Sequence, residues 1–335
     1  MNQSRRRFAS GLALLGAGNA LGLWSPPAAA EPPPETTKIR LLRSNSVCWA
    51  PQYMAEELLR AEGFTEVQYV AIADADLIAK ALASDQADIS MQFVAPNLVR
   101  FDMGDPIVFL AGGHVGCLYL RGTDKVRSAR DLKGKTVAVP GGVTGVAYTF
   151  VASMATHVGL DPRRDITWAA HSIDESKRLL AESKVDAVLA FPPVAQEMRA
   201  KKIGRSIVNT TTDRPWSQYF CCMITGRQTF VRRYPVATKR ALRAILKTAD
   251  LCAAEPERIA RSLVEKKFVT QYDYTLQALR DLPYGKWREY DPEDTIRFYS
   301  LRLHEAGLIK SNPQKIIAQG TDWRFLNELK KELKG

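Results

Sequence analysis

The residues best suited to hold a small molecule lie in loops that follow predicted β-strands. Ligands of open α/β sheets bind beyond the carboxyl ends of the strands, so these loops are the first places to search. Five short segments meet this condition. Their candidate ligand-binding residues are Cys48, Trp49, Gln52, Phe93, Asn97, His114, Gly141, Gly142, Thr144, Phe191, Pro192, Trp216 and Tyr219.

The first two segments supply aromatic and amide side chains. Trp49 can stack on a planar ligand, and Gln52 can both donate and accept hydrogen bonds. The alternative is a core tryptophan and a surface glutamine. Asn97 follows Phe93 at a helix start marked by Pro96, where a capping or surface role is more typical of asparagine than a ligand contact.

A glycine-rich turn, Pro140–Gly145, gives the sharpest chemical signal because it follows a strand and opens a helix. Free N–H groups and the helix dipole at such a position favour a carboxylate, sulfonate or phosphate. The turn lacks the spacing of a Walker or dinucleotide motif. It is therefore interpreted as an anion site that includes Gly141, Gly142 and Thr144, the alternative being a plain glycine turn with Thr144 near the cap.

Histidine and cysteine give weaker signals. His114 lies in a glycine-rich segment, where glycines permit close approach or hinge torsions, and a lone histidine is more often structural than a metal ligand. Cys221 and Cys222 are adjacent on a predicted strand and should face opposite sides, so they are expected to be small buried residues. No metal or cofactor is predicted. Phe191, Pro192, Trp216 and Tyr219 are expected to form an aromatic box.

Short β-rich runs alternate with helical patterns from residue 38 onward, which predicts βαβ units on mostly parallel sheets. The order of elements in residues 38–112 is repeated in residues 131–208, and the run Leu82–Ile89 aligns with Leu180–Ala187. Each run reads as a helix end, a polar turn and the start of a buried strand. Two β-rich runs, 116–121 and 218–225, are expected to join the halves, and the remainder from residue 229 is helical.

The first thirty residues read as an export signal. Arg5, Arg6 and Arg7 precede a mild apolar stretch that is too short and too rich in glycine to span a membrane, and a small-residue run ends at Ala30. Cleavage near Ala30 and a periplasmic location are predicted. The Ser-Arg-Arg-x-Phe run within residues 4–8 resembles a twin-arginine signal, and an ordinary secretory leader is the alternative. Residues 31–37 are then a linker.

Composition limits the possible partners. The chain is 46% apolar and 25% charged, which is typical of a soluble globular protein. Its net charge of +11 becomes +8 without the signal, but basic and acidic residues alternate, so nucleic-acid binding is not expected. Five cysteines allow at most two disulfide bonds and do not form a disulfide framework.

Several motifs together resemble the nitrate/sulfonate/taurine class of solute-binding proteins of ABC importers, which share their fold with fungal thiamine-pyrimidine synthases. The segments that carry the resemblance are Trp49–Ala55, Ala61–Gly63, Ala83–Asp88 and Asp131–Val137, and it extends over nearly the whole mature chain. It implies an α/β, two-lobed type II periplasmic-binding-protein fold with mostly parallel sheets and a helical C-terminal tail. The predicted lobes are residues 38–118 with 222–335, and residues 119–221.

The resemblance implies a ligand held between the lobes and delivered to an ABC permease, and hinge closure by a monomer is expected. The resemblance does not supply the ligand. The helix-start anion site and the aromatic side chains indicate a small organic anion or heterocycle, such as a sulfonate, a carboxylate or a thiamine-related pyrimidine. Catalysis is the main alternative, since the fungal synthases use a cysteine-rich iron motif, a histidine and pyridoxal. Only Phe220–Met223 is similar to that motif here, so an enzyme is not expected. A ligand-presenting sensor is the third alternative.

Overall fold

The computed structural model describes residues 31–72, 78 and 80–333. The chain from Pro33 onward forms one compact unit. The predicted signal peptide lies outside the described residues. No helix in the described ranges has the length and apolarity needed to cross a membrane. The predicted linker is anchored, since the Glu35 carboxylate accepts hydrogen bonds from the N–H groups of Val236 and Ala237 at 3.0 and 2.9 Å.

The first group of strands consists of β1, β2, β3, β4 and β10. Their bounds are Lys38–Arg43, Glu66–Ala71, Ile89–Phe93, Ile107–Val115 and Phe220–Arg227. Strands β1 and β2 pair in parallel, and β10 lies antiparallel between β3 and β4. Hydrogen bonds between Arg40 and Asp88 connect β1 to the start of β3.

The second sheet has five strands in the order β7-β6-β8-β5-β9. The bounds of β5 to β9 are Tyr119–Gly122, Lys135–Ala138, Ile166–Ala169, Ala187–Ala190 and Arg205–Asn209. Strand β6 pairs in parallel with β7 and β8, whereas β5 is antiparallel to β8 and β9. The sheets are therefore mixed rather than mostly parallel, because β5 and β10 run against their neighbours.

The sequence repeat corresponds to a structural repeat. Asp88 and Asp186 both donate their N–H to a carbonyl of the neighbouring strand, at 2.9 and 2.8 Å, and both accept from a backbone N–H of that strand through the carboxylate. Asp85 and Ser183, at matching positions in the preceding turn, have φ of 59° and 56°. The two turns thus share a left-handed residue and a carboxylate that fixes the next strand.

Thirteen α-helices lie within the described residues. Helices α1 to α7 are Ala50–Tyr53, Glu56–Ala61, Val94–Asp102, Val146–His157, Ile173–Ala181, Val194–Ala200 and Gln228–Arg233. Helices α8 to α13 are Pro235–Ala254, Pro256–Glu265, Tyr272–Asp281, Pro292–Glu305, Pro313–Gly320 and Arg324–Glu332. Four of these begin with proline, whose fixed φ suits the first helical position.

Most predicted elements are confirmed to within two residues, and the exceptions have local causes. The amphipathic pattern of residues 51–61 predicts one helix, but the structure has two, α1 and α2, with a break at Met54 and Ala55. The predicted helix over residues 74–83 lies partly outside the described residues, and residues 80–85 form turns. Helix α3 begins at Val94, two residues before the helix start indicated by Pro96, because it directly follows a buried strand with no polar turn between them.

The predicted division into two lobes stays a prediction. It agrees with the pairing, since β5 joins the second sheet and β10 the first. The helical tail contacts elements of both predicted lobes, as α11 packs against α3 and α4.

Candidate functional site

A cavity of about 440 Å³ lies between residues of the two predicted lobes. Its apolar lining residues are Trp49, Ile78, Phe93, Pro96, Val99, Met103, Val143, Val146, Tyr148, Phe191 and Leu308. Its other lining residues are Ser44, Lys80, Gln92, Asn97, Arg100, Gly145 and Thr149. This size and composition match those of ordinary small-molecule sites.

An aromatic wall crosses the cavity from one predicted lobe to the other. The rings of Trp49 and Phe93 lie 6.3 Å apart, and Phe93 lies 5.5 Å from Phe191 of the second predicted lobe. Both pairs are tilted rather than stacked. Trp49 and Phe93 are buried, so a flat or apolar ligand body would complete an existing aromatic surface.

Two lining residues hold buried polar atoms without a partner among the described residues. The side-chain nitrogen and oxygen of Asn97 make no hydrogen bond to the described residues, and neither does Nε1 of Trp49. Asn97 is only 1% exposed. A buried amide that makes no hydrogen bond is costly, so a ligand with a donor and an acceptor would remove an existing penalty. The Asn97 side chain is neither a helix cap nor a surface group.

The glycine-rich turn leads into the cavity. Gly141 and Gly142 have φ of 83° and 73° and shape the turn, whereas Gly145 and Val146 line the cavity. Residues Gly142–Thr144 form a short 3-10 helix before α4 begins at Val146. The first N–H groups of α4 have no acceptor within the helix. An anionic or acceptor group at this end of the cavity would face these donors.

Gly145→Ala is expected to weaken ligand binding by about tenfold. The φ of Gly145 is −79°, which any residue adopts, but an added Cβ would lie 2.7 Å from the Gly141 carbonyl oxygen. Because that neighbour is backbone, the turn and the start of α4 must move, and displacing binding groups by a fraction of an ångström costs on the order of 1 kcal/mol. Isothermal titration with benzenesulfonate measures the effect.

Gly285→Ala is the matched control for this substitution. Gly285 lies in the 3-10 helix Tyr284–Arg288, and a Cβ there would meet only the Ala253 side chain at 3.4 Å. We expect unchanged affinity. Equal affinities for Gly145→Ala and the unmodified protein would show that the turn does not position the ligand.

The remaining predicted site residues lie elsewhere. Gln52 is fully buried and structural, since its amide donates to the Leu42 carbonyl at 2.6 Å and accepts from the N–H of Met91 at 2.7 Å. It connects α1, β1 and β3 and is not a surface residue. The Pro192 carbonyl accepts a hydrogen bond from the Ser46 hydroxyl at 3.3 Å.

The aromatic box predicted from Trp216 and Tyr219 does not form at this cavity. Tyr219 stacks on Phe298 with ring centroids 3.9 Å apart, and Trp216 packs against Phe298 and His157. Both side chains pair with helices of the C-terminal region, which the sequence could not place. Phe191 alone of the four predicted residues lines the cavity.

Cys48 and His114 belong to a separate buried cluster. Side-chain ligand atoms of Cys48, His114, Cys117 and Cys222 lie within 4.8 Å of one another, and all four residues are fully buried. The Cys221 Sγ lies 2.6 Å from that of Cys117. His114 is therefore not alone, which corrects the sequence interpretation.

A β-bulge explains why adjacent cysteines meet in one cluster. Phe220 pairs with Val115 and Cys222 pairs with His114, so Cys221 is an extra residue in β10. The bulge breaks the alternation of side chains that was expected to send Cys221 and Cys222 to opposite faces.

Burial shifts the pKa values of the cluster, and at His114 the neighbouring cysteines act against it. It raises the pKa of the Cys48 and Cys117 thiols, because a thiolate loses its hydration inside the protein. Burial lowers the pKa of His114, but the neighbouring Cys222 and Cys48 outweigh this and raise it to about 10. The cluster thus favours a positive charge at the imidazole.

Sequence reasoning missed Gln92, Tyr148, Thr149 and Cys117. Gln92 lines the cavity from β3, a strand whose five residues are all buried. The signal that could have identified Gln92 is the presence of a single amide side chain in a buried strand. Tyr148 and Thr149 lie in the first turn of α4. Cys117 carried no local signal, although its φ of 104° is rare for a residue with a side chain.

The architecture, with a cavity between the predicted lobes, defines a protein with the periplasmic-binding-protein fold. A model of the NMT1/THI5-like family matches residues 50–259, and the chain belongs to that family. This confirms the resemblance and the α/β fold class predicted from the sequence. No curated protein shows a significant sequence match.

Solved structures of low sequence identity share the fold. The periplasmic nitrate-binding protein NrtA from Synechocystis PCC 6803 superposes with a TM-score of 0.75 at 16% identity, covering 90% of each chain. The alkanesulfonate-binding protein SsuA from Xanthomonas axonopodis pv. citri, bound to MOPS, gives 0.67 at 14% identity, covering 88% of this chain and 100% of that one. The aliphatic sulphonate-binding protein SsuA from Escherichia coli gives 0.66 at 13%, covering 85% and 92%.

Proposed function

We propose that this protein is the extracytoplasmic solute-binding component of an ABC importer and captures a small organic anion or heterocycle between its two lobes. The observation that carries the proposal is the apolar cavity between the predicted lobes, whose wall holds the unpaired amide of Asn97. The family and the solved relatives support the general role.

The lining residues favour binding over catalysis. The part of the cavity wall that the structure describes contains no histidine, cysteine, aspartate or glutamate, and these residues usually supply the base or nucleophile of an enzyme. A thiamine-pyrimidine-synthase-like reaction or a sensor role is less well supported. The same described wall includes Lys80 and Arg100. Arg100 pairs with Asp105 at 2.6 Å, so the positive charge of Lys80 is the feature of the wall that suits an anion.

The ligand would contact three parts of the cavity. Its apolar or aromatic body would lie along Trp49, Phe93 and Phe191, and its polar groups would pair with Asn97. An anionic group would face the start of α4, where the helix dipole is positive. A sulfonate, an aromatic carboxylate and a thiamine-related pyrimidine each present some of these features.

Hinge closure is the proposed mechanism. Contacts already connect the predicted lobes, since Arg199 pairs with Asp281 at 2.7 Å and Gln196 donates to the same carboxylate at 3.1 Å. A ligand bound to both lobes favours the closed form only through its higher affinity for that form. The closed surface would then be recognised by an ABC permease.

A thermal-shift panel tests the ligand class. Nitrate, butanesulfonate, benzenesulfonate, MOPS, benzoate and a thiamine-related aminopyrimidine are the probes, and native mass spectrometry of freshly purified protein detects any retained molecule. A ligand at 100 times its Kd raises the stability by about 2.7 kcal/mol. We expect at least one organic anion to stabilise the protein, and no response to any probe would contradict the proposed ligand class.

Small-angle scattering tests closure. The radius of gyration should fall when the stabilising probe is added, because closure brings the lobes together. Identical profiles with and without a bound probe would contradict hinge closure.

Export is tested separately with Arg5→Lys and Arg6→Lys, which should block a twin-arginine route and leave a secretory route unchanged.

A further inference from the structure

We propose that Cys48, His114, Cys117 and Cys222 form a closed site for one thiophilic d10 cation, Zn²⁺ or Cu⁺, separate from the ligand cavity. The four residues come from three parts of the fold. Cys48 follows β1, His114 and Cys117 lie at the end of β4 and just after it, and Cys222 is on β10. None of the four lines the cavity described above.

The spacing of the donor atoms suits a single ion. Around a tetrahedral zinc, with Zn–S of about 2.3 Å and Zn–N of about 2.0 Å, the ligand atoms of this donor set lie roughly 3.5–3.8 Å apart. The four donor atoms lie within 4.8 Å of one another. Small side-chain rotations would complete the tetrahedron, without movement of the strands.

The kind of donor selects the kind of cation. Three thiolates and an imidazole are a common set for structural zinc, and thiolates also favour Cu⁺. All four residues are fully buried, so there is no position for water in a complete site. Hard cations such as Mg²⁺ and Ca²⁺ prefer oxygen ligands and are not expected.

The surroundings hold the histidine in place. Its Nε2 lies 3.0 Å from the Cys48 carbonyl oxygen and its Nδ1 lies 3.2 Å from that of Val115. A cation would displace the proton from one ring nitrogen, and the other nitrogen would still donate to its carbonyl and so fix the orientation of the ring. The Tyr284 ring packs edge-on against His114 at 5.0 Å.

A cation here would fix the segments that join the predicted lobes. Cys117 lies between β4 and β5, Cys222 lies on β10, and these are the two crossings. Cys48 immediately precedes Trp49, which lines the ligand cavity. The site would therefore hold the hinge and the aromatic wall in a defined relation, and its occupancy does not depend on which solute the cavity binds.

Metal analysis and cobalt substitution test the proposal. The full chain is produced without a histidine tag, its metal content is measured, and the ion is removed with a chelator under reducing conditions. One equivalent of Zn²⁺ or Cu⁺ should bind, and separate titrations distinguish the two. Co²⁺ should give thiolate-to-cobalt charge-transfer bands and intense tetrahedral d–d bands, and X-ray absorption should show three sulfur ligands and one nitrogen ligand.

Variants then locate the site. Cys222→Ser and His114→Asn should weaken Co²⁺ binding by at least about a hundredfold, since even outer partners of a metal ligand contribute 10–100-fold. Cys252→Ser is the matched control, because Cys252 is also fully buried but lies in α8, outside the cluster. It should bind Co²⁺ normally. If a variant fails to fold, the Co²⁺ spectrum of the unmodified protein still tests the proposed site.

A count of reactive thiols can contradict the proposed metal site. Unfolding without reductant should expose five reactive thiols after metal removal, equal to the number of cysteines. Three thiols would indicate a Cys117–Cys221 disulfide and overturn the proposal, as would five thiols with no bound metal, an octahedral cobalt spectrum or an iron–sulfur cluster. None of these results would contradict the proposed solute binding, because the thermal-shift panel tests it separately.

Discussion

Asp88→Ala should destabilise the folded protein by roughly 3–5 kcal/mol, the usual cost of removing one partner from a buried ion pair. The Asp88 side chain is 5% exposed and pairs with Arg40 at 2.7 Å and with Arg227 at 3.0 Å. It also accepts the backbone N–H of Arg40 at 2.9 Å, which connects β1 to β3. Urea unfolding measures the loss as a lower midpoint with an unchanged slope.

The sequence repeat supplies the control. Asp186 accepts the N–H of Thr136 at 2.9 Å in the same way, but it has no ion pair among the described residues. Asp186→Ala should therefore cost only about 1–2 kcal/mol, the penalty of one unpaired backbone donor. Equal losses for the two alanine variants would show that the ion pairs of Asp88 add no stability beyond those that Asp85 already makes with Arg40 and Arg227, at 2.6 and 2.8 Å.

Asn97→Leu should raise the stability of the ligand-free protein slightly and lower the affinity for its ligand by about 10- to 100-fold. Both amide atoms of Asn97 are buried without a partner among the described residues, so leucine removes an existing penalty. The bound ligand loses two hydrogen bonds, each worth about 1 kcal/mol or more. Thermal melts without ligand and titration with benzenesulfonate, or with the strongest probe of the panel, measure the two effects.

Gln52→Leu is the contrasting variant. Gln52 is a buried amide as well, but its hydrogen bonds are made to the protein. We expect a loss of about 2–4 kcal/mol, because the Leu42 carbonyl and the Met91 N–H are left unpaired. A destabilised ligand-free Asn97→Leu protein, or one with unchanged ligand affinity, would contradict the role assigned to Asn97.

The proposed metal site and the proposed solute site would act on the same hinge from different sides. In the proposed mechanism a ligand in the cavity draws the predicted lobes together, whereas the cysteine cluster lies at the predicted crossings. Cys48 and Trp49 are adjacent residues that face different environments, one in the cluster and one at the cavity. A change in metal occupancy is therefore expected to alter ligand affinity through the position of Trp49.

The sequence by itself determined the local elements and their repetition. The matching turns before Asp88 and Asp186 could be predicted from the sequence. The short-range hydrogen bonds and the left-handed residue of such a turn are determined by residues that are adjacent in the chain. The sequence predicts helical structure from residue 229 onward, where α8, α9 and α11 lie, because helical periodicity is also a local property. The family resemblance depended on the same order of elements.

Only the tertiary structure decided which side chains meet. The cluster joins Cys48 to Cys222 across the chain, and a single bulged residue, Cys221, reverses the side that a regular strand would present. Tyr219 is drawn to Phe298 of the helical tail rather than to a ligand, and Asn97 becomes buried because α3 follows a buried strand directly. These outcomes depend on packing between segments distant in sequence, and local propensity carries no information about such contacts.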